Sequence, residues 1–568
     1  MSVANAARRV SVEGSRWSGV LPSLIMFIVG LAVRLPGVLF NGMHDLDQFI
    51  FQWGSAVRYL GLGAGFQDNY GPLSFALYGI DTALAEQIPR YWWLPYKLME
   101  ISLEIAVLIA LYRLLPAKRK HLALLLYWLN PWFIVNGAWH GFWDGAYLLF
   151  ALLAVIFAGR AQQPKTAWGW VGALLMISAM FKPQGLIYFV LPISVYLLLE
   201  FVQNRRLPLI GFGMGLLIPL AVTTVVLVIT GGGVLAIPRN YLSAATVMPY
   251  LCNNCINIWR TISAILQTLL GQTGPVYSLQ LPKVIYLSLH LFALCATLIL
   301  LGLFFLRIPM SPDADATGPA KIQLKGWIRI IGLGVVALAG LELLLSSGTE
   351  HGKWLIGGHS IGYVPIVLAI AVVGGITFVA APLISNLLNK TQQFAASVLQ
   401  RLSSKIIQHS HTPYIGVYLV ITFTSLVIPQ IGTKAHINHT YAGLVLLIPL
   451  VIANRRVMWL WLTMIGIHLY SNVAAYQLGR SMVLPETHLD YPTAQPLISQ
   501  IQAVLAAQPI DPVSQFQINA NQFLAGLLPQ EPVITILSAV QFVCVIIIVR
   551  EMYTIVTRPD ESSVLMLP

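Results

Sequence analysis

The sequence predicts an all-α, polytopic membrane protein, and three observations predict it. Hydrophobic residues make up 57% of the 568 positions and charged residues only 10%, where a soluble globular chain carries about a quarter. Several apolar runs reach the ~20 residues a helix needs to cross a bilayer core. The polar residues fall between these runs, and no repeat of 20–50 residues links them. A soluble enzyme and a disordered chain are both excluded by this composition. The 33 Lys+Arg against 21 Asp+Glu give a net charge of +12, but the basic residues are scattered between apolar runs. That pattern sets orientation in a membrane and gives no reason to expect nucleic acid.

Taken in order, hydropathy predicts about fourteen spans. They lie near 20–40, 92–115, 121–137, 143–159, 167–181, 184–201, 208–230, 284–307, 328–346, 360–384, 413–429, 440–453, 457–475 and 533–549. The segment 440–453 is short enough to be tilted or only partly inserted. Threading these spans collects Arg8, Arg9, Arg16, Lys118-Arg119-Lys120, Arg205-Arg206, Arg455-Arg456 and the tail from Arg550 on one side. Positive charge marks that side, and with it both termini, as cytoplasmic. The other side takes the long loops 41–91, 231–283 and 476–532. Loop 41–91 is rich in aromatics, Tyr59, Tyr70, Tyr78 and Tyr91 among them, and predicts short helices lying along the membrane surface.

Domain organisation turns on the polar stretch Pro309–Pro319. It divides a membrane module at 1–310, holding most of the unusual polar residues, from a second helical bundle at 326–568, with 311–325 as a cytoplasmic linker. The first apolar run is too long for a cleavable signal and lacks a small-residue cleavage site. Cys295 and Cys544 lie in apolar runs and read as packing thiols. Cys252-Asn-Asn-Cys255 is a single CxxC; without a second pair it predicts no zinc, and leaves a disulfide or two free thiols open.

Chemistry concentrates on the non-cytoplasmic side. The first outer loop opens His44-Asp45-Leu46-Asp47, two carboxylates that can hold a metal or act as a general base, or simply be solvated loop acids. It continues through Asp68-Asn69-Tyr70-Gly71-Pro72, a turn-forming cluster. Asn130-Pro131 to Asp144 breaks a helical pair and places Trp139, His140, Trp143 and Asp144 near the membrane surface. His140 and Asp144 are four apart, the spacing of one helix face. They read either as a hydrogen-bonded connector or as sugar or phosphate ligands. Phe181-Lys182-Pro183-Gln184 sets a lysine at a proline break, either snorkelling to the surface or serving a lipid-linked phosphate. Glu350-His351-Gly352-Lys353, His359 and Lys434-Ala435-His436 lie on the same face. Lys97, Glu100 and Glu104 share one face of the second span and predict an internal ion-pair network. No Walker loop, dinucleotide fingerprint or nucleophile elbow is present.

These residues, in this order, resemble the GT-C superfamily of integral-membrane glycosyltransferases, especially the branch related to GPI mannosyltransferases and their bacterial relatives. The resemblance covers roughly residues 20–200; the second half follows it in topology and around His436. It implies transfer of a hexose, mannose favoured, from a polyprenyl-phosphate donor to a lipid or glycan acceptor on the non-cytoplasmic face. It implies that Asp45 or Asp47 is the base and that Lys182, with His436 and Lys434, steadies the donor phosphate. His140 and Asp144 would line the sugar or acceptor pocket, beside Gln184, Asp68 and Tyr70. No cofactor is expected, and a divalent metal at Asp45/Asp47 is not favoured. The partners implied are the bilayer, the lipid-linked sugar and its acceptor. The membrane would be the plasma membrane in a bacterium and the endoplasmic reticulum in a eukaryote. The late loop reads His436-Ile437-Asn438 where relatives often carry a His-Glu-Arg triplet, and Tyr70-Gly71-Pro72 stands where many have Tyr-Pro-Pro. A proton-coupled secondary transporter using Glu100, Glu104 and Glu342 is the rival reading, and a non-catalytic scaffold a third.

Overall fold

The structure is a computed structural model. It describes residues 3–40, 42, 45–66, 70–116, 119–159, 164–204, 209–246, 256–269, 297, 353–356, 359–362, 413–431, 437–476, 494–506, 512–527 and 531–557. Apart from Thr297 and residues 360–362, the predicted spans at 284–307, 328–346 and 360–384 lie outside the described residues, as do the linker at 311–325 and the Cys252/Cys255 pair. Where the last of these spans was expected to begin, 360–362 is strand. What is described is almost entirely helical. The exception among strands is a short antiparallel hairpin, β1 (Lys353–Ile356) and β2 (His359–Gly362), with Lys353 opposite Gly362.

Four described helices are long and apolar enough to cross a membrane: Leu21–Val38, Leu209–Ile229, Arg455–Ala475 and Pro532–Thr554. The first is the end of α1 (Val3–Val38). The helix α2 (45–60), with a π-helical middle at Gln48–Gly54, and α3 (Pro72–Ala85) fill the first long loop as the expected short helices. Phe49, Ile50, Phe51, Phe75 and Tyr78 of these helices are buried in the main core. The next helix, α4 (Leu94–Leu114), has 21 residues but carries Lys97, Glu100 and Glu104, all buried.

The expected span at 121–137 is instead two short pieces, α5 (121–128) and α6 (Pro131–Trp139). Pro131 has no N–H and excludes a helical Asn130, which takes extended angles and caps the new helix by accepting from the Trp132 N–H at 3.0 Å. At about 1.5 Å per residue, neither piece spans a bilayer core alone. A second break separates α6 from α7 (Asp144–Gly159), and the two are bent by 119°. Gly141 makes that corner with φ +81°, a conformation side chains rarely adopt. If the bent pair is one broken span, it makes a fifth.

After the corner come α8 (Pro164–Phe181), α9 (183–204) and α10 (Leu209–Ile229). The α8 and α10 backbones meet through glycines, Gly172 against the Phe212 carbonyl and Gly215 against that of Gly169. Small residues at such crossings let dispersion act where lipid offers no hydrophobic drive. Late in the chain, α11 (Pro413–Ile431), a 3₁₀ turn (Ile437–Thr440), two six-residue helices (Tyr441–Leu446 and Ile448–Ala453) and α12 (Arg455–Tyr476) join the same core. The segment 440–453, expected as one short tilted or partly inserted span, is thus two helices. Tyr127 and Tyr441 link the early and late helices, their hydroxyls 2.9 Å apart.

Candidate functional site

Three chain breaks meet at one place. Pro183 opens α9 and holds Lys182 in extended angles, φ −148° and ψ 136°, so its side chain leaves the helical path. Asp144 opens α7, where a carboxylate suits the positive end of the helix dipole. Lys182 Nζ and Asp144 Oδ1 are 2.7 Å apart, with side chains 5% and 1% exposed. The lysine does not snorkel; it is a buried ion pair. The other carboxylate oxygen, Asp144 Oδ2, is buried with no hydrogen bond among the described residues.

The third break is Tyr70-Gly71-Pro72. Gly71 N–H donates to the Phe181 carbonyl at 3.0 Å, and Ser74 Oγ donates to the same oxygen at 2.7 Å. A Cβ on Gly71 would collide with the Met180 carbonyl, so only glycine permits this approach. Pro72 then starts α3, a position where its missing N–H costs nothing. The docking sets the Tyr70 ring 5.2 Å from Lys182 Nζ. Burial pushes the Tyr70 phenol above its usual range, with the Lys182 cation working the other way and Asp144 and Asp45 adding to the rise. The phenol is therefore a neutral hydrogen-bonding group beside a charged pair.

Asp45 and Asp47 open α2 and differ in access: Asp45 is half-buried and Asp47 only 3% exposed. The field of Asp45 reaches Tyr70, which ties the acid pair to the Lys182 break. Around them stand Phe49, Trp53, Tyr78, Tyr96 and Trp143. Tyr70 lies 5.3 Å from Trp53, and Trp143 stacks on Tyr96 at 4.8 Å.

His140 and Asp144 do not share a helix face. His140 caps the end of α6, its N–H donating to the Val135 carbonyl at 2.9 Å, and the Gly141 corner intervenes before Asp144. His140 is fully buried. Gln184 Nε2 lies 2.9 Å from His439 Nε2, which carries the site toward the late helices. Asp68, Lys434 and His436 lie outside the described residues. So does His44.

The predicted ion-pair network of α4 takes a different form from three partners on one face. Glu104 pairs with Arg34 of α1 at 2.6 Å, both fully buried, and Arg34 also donates to the Trp128 carbonyl at 2.6 Å and stacks over the Trp128 ring. Lys97 instead donates to the carbonyls of Ala138 and Trp139 at 2.9 and 2.5 Å. Neither oxygen of Glu100 makes a hydrogen bond among the described residues. Sequence reasoning missed Arg34, which sits in an apolar run without a nearby acid. It also missed His468, Ser471 and Asn472, whose signal was present: polar residues at i, i+3 and i+4 in an otherwise apolar helix.

Among the described residues, no three His, Cys, Asp or Glu side chains stand together as a metal-ligand set. Chemically, the arrangement offers a half-accessible carboxylate, a buried cation with a counter-ion, a neutral phenol and an aromatic wall. A scan against protein-family models finds no match for this chain, and a search of curated proteins finds none either.

Proposed function

We propose that the chain is an integral-membrane glycosyltransferase of the GT-C kind, moving a hexose, with mannose first choice, from a polyprenyl-phosphate donor to a lipid or glycan acceptor. The reading keeps the fourteen-span threading only by counting the broken α5–α6 segment as one span, with both termini cytoplasmic and the site on the opposite face. The plasma membrane would house it in a bacterium and the endoplasmic reticulum in a eukaryote. The observation that carries it is the buried Lys182–Asp144 pair beside Tyr70 and the half-buried Asp45.

In this reading Asp45, not Asp47, is the base, because a base must reach the acceptor hydroxyl and Asp47 is enclosed. The acceptor oxygen bonds to the anomeric carbon as the carbon–oxygen bond to phosphate breaks, and the acceptor proton passes to the Asp45 carboxylate. The polyprenyl phosphate leaves with the electron pair. Lys182 has three N–H donors, of which Asp144 takes one and Tyr70 lies within reach of a second. The remainder faces the phosphate, and a positioned cation lowers the energy of the charge that develops there. Asp144 keeps that cation from standing buried and unpaired before the donor arrives. The aromatic wall suits the apolar faces of a sugar ring, and Gln184 with His439 closes the side toward the late helices.

The test is consumption of short-chain polyprenyl-phosphate sugars by the purified protein in detergent, read as released polyprenyl phosphate, with candidate acceptors supplied. Release from one sugar donor supports the reading, and no release from any member of a hexose and pentose panel by folded protein ends it. One observation favours a second reading, proton-coupled transport: Glu100 is buried in a membrane-length helix with neither oxygen hydrogen-bonded among the described residues. Uptake into vesicles that fails in Glu100→Gln, without donor consumption, is the outcome that belongs to it.

A further inference from the structure

Beside the charged site lies a second constellation built from neutral hydrogen-bonding groups. Trp132 and Asn136, four apart in α6, face His468 and Asn472, four apart in α12. The Trp132 and His468 rings are 4.9 Å apart, and Asn472 Nδ2 donates to Asn136 Oδ1 at 3.3 Å. Thr440 Oγ1 lies 2.9 Å from His468 Nε2. Its chain neighbour His439 meets Gln184, two residues from Lys182. The constellation therefore adjoins the charged site through two hydrogen bonds and the His439–Thr440 chain link.

Trp132, Asn136, His468, Ser471 and Asn472 are all fully buried. Yet Trp132 Nε1, Asn136 Nδ2, Ser471 Oγ and Asn472 Oδ1 make no hydrogen bond among the described residues, and neither does the buried Asn438 Oδ1 beside them in the 3₁₀ turn. A buried polar group left unmade costs about 1–3 kcal/mol, so a cluster of them on facing helices calls for partners beyond the described residues. The set decides what kind. It holds two pure donors, the indole and amide N–H groups, with two carbonyl acceptors and a hydroxyl that does both, and no formal charge. An ion or a phosphate would find no counter-charge among these groups. Hydroxyl groups, which each donate and accept, match it.

We propose that this constellation binds a neutral polyhydroxylated ligand, the sugar ring of the glycosyl acceptor, resting on the transferase reading of the adjoining site. Trp132 Nε1 and Asn136 Nδ2 donate to its hydroxyl oxygens, and Asn472 Oδ1 and Ser471 Oγ accept from its hydroxyl hydrogens. Internal water would satisfy the same atoms, and it is the alternative that the experiment must separate.

The full chain in nanodiscs serves for the test, as wild type, Ser471→Ala and Asn472→Leu. Donor hydrolysis to water without acceptor reads the charged site alone; transfer to a panel of octyl hexosides reads the acceptor; tryptophan fluorescence on titration with methyl hexosides reads binding directly. The expected result is an acceptor KM raised about tenfold for each lost hydrogen bond, with donor hydrolysis and kcat unchanged. An unchanged KM in both variants, with hydrolysis intact, means that the constellation holds only water and overturns the proposal. Should Asn472→Leu fail to fold, Ser471→Ala, which removes one oxygen, decides alone. If wild type neither hydrolyses donor nor transfers its sugar to any acceptor supplied, the transferase reading falls by itself. Hexoside binding that weakens in Ser471→Ala then still supports the polyhydroxyl site, and no binding by wild type overturns it.

Discussion

Two buried lysines bind on either side of the Gly141 corner, and their surroundings differ. Lys182 stands at a chain break, 2.7 Å from Asp144 and 5.2 Å from the Tyr70 ring, with the half-buried Asp45 near enough for its charge to reach Tyr70. Lys97 stands inside a helix and spends its protons on two backbone carbonyls at the end of α6. Cations at a helix C-terminus answer the partial negative charge there, so Lys97 fixes the position of His140 and the Gly141 corner. A buried cation is costly in either place. One is balanced by a carboxylate in direct contact; the other by two peptide carbonyls, with the Glu100 and Glu104 carboxylates of its own helix acting on it by charge. In the proposed transfer, the difference separates a group that meets the donor phosphate from one that holds the fold.

The comparison is broken most directly at Lys182. Lys182→Met leaves Asp144 buried without its cation and is expected to cost about 3–5 kcal/mol in unfolding free energy, read from denaturation in detergent. Adding Asp144→Leu should recover most of that stability, since an apolar pair replaces an ionic one, while turnover stays lost. Recovery of turnover in the double variant would remove Lys182 from the chemistry. Lys97→Met leaves two carbonyls unpaired and no carboxylate in contact, so a smaller loss, about 1.5–3 kcal/mol, is expected from the same measurement. A loss as large as that at Lys182 would mean that Lys97 has an ionic partner after all.

Asp81 supplies the smallest and most specific effect. It is fully buried in α3 with neither oxygen hydrogen-bonded among the described residues, and burial holds its carboxyl well above the usual carboxylate range. Between the ordinary and the raised value the folded chain keeps a proton that the unfolded chain has lost, so Asp81 makes stability fall as pH rises through that window. Asp81→Asn should match the wild-type Tm at about pH 4, near the ordinary carboxylate value, and exceed it at about pH 8. Equal Tm shifts at both pH values would place the effect in packing rather than in the proton.

How much of this was legible in the sequence follows from what each feature depends on. Membrane-length helices, proline breaks at Asn130 and Lys182 and short helices in the first loop are local, and composition and chain chemistry predict them. That 121–137 is two pieces was also written at Pro131, though hydropathy averaged over it. The Lys182–Asp144 pair could not be read, because it joins residues 38 positions apart through a corner at Gly141 that only φ reveals. The same holds for Arg34 and Glu104, 70 positions apart. His140 and Asp144 were separated by that corner in spite of helical spacing. Asn136 and Asn472 are 336 positions apart, and a lone Asn in an apolar run names no partner.

The role proposed for Asp45 is that of the base in a sugar transfer at the Lys182 break. It is tested by Asp45→Asn and Asp47→Asn, with donor binding and release of polyprenyl phosphate measured on the same preparations. The account predicts that wild type releases polyprenyl phosphate and that Asp45→Asn binds donor equally but releases it at least about a hundredfold more slowly. Asp47→Asn keeps the greater part of the rate. Wild-type release in Asp45→Asn, with the loss confined to Asp47→Asn or absent from both, would contradict it.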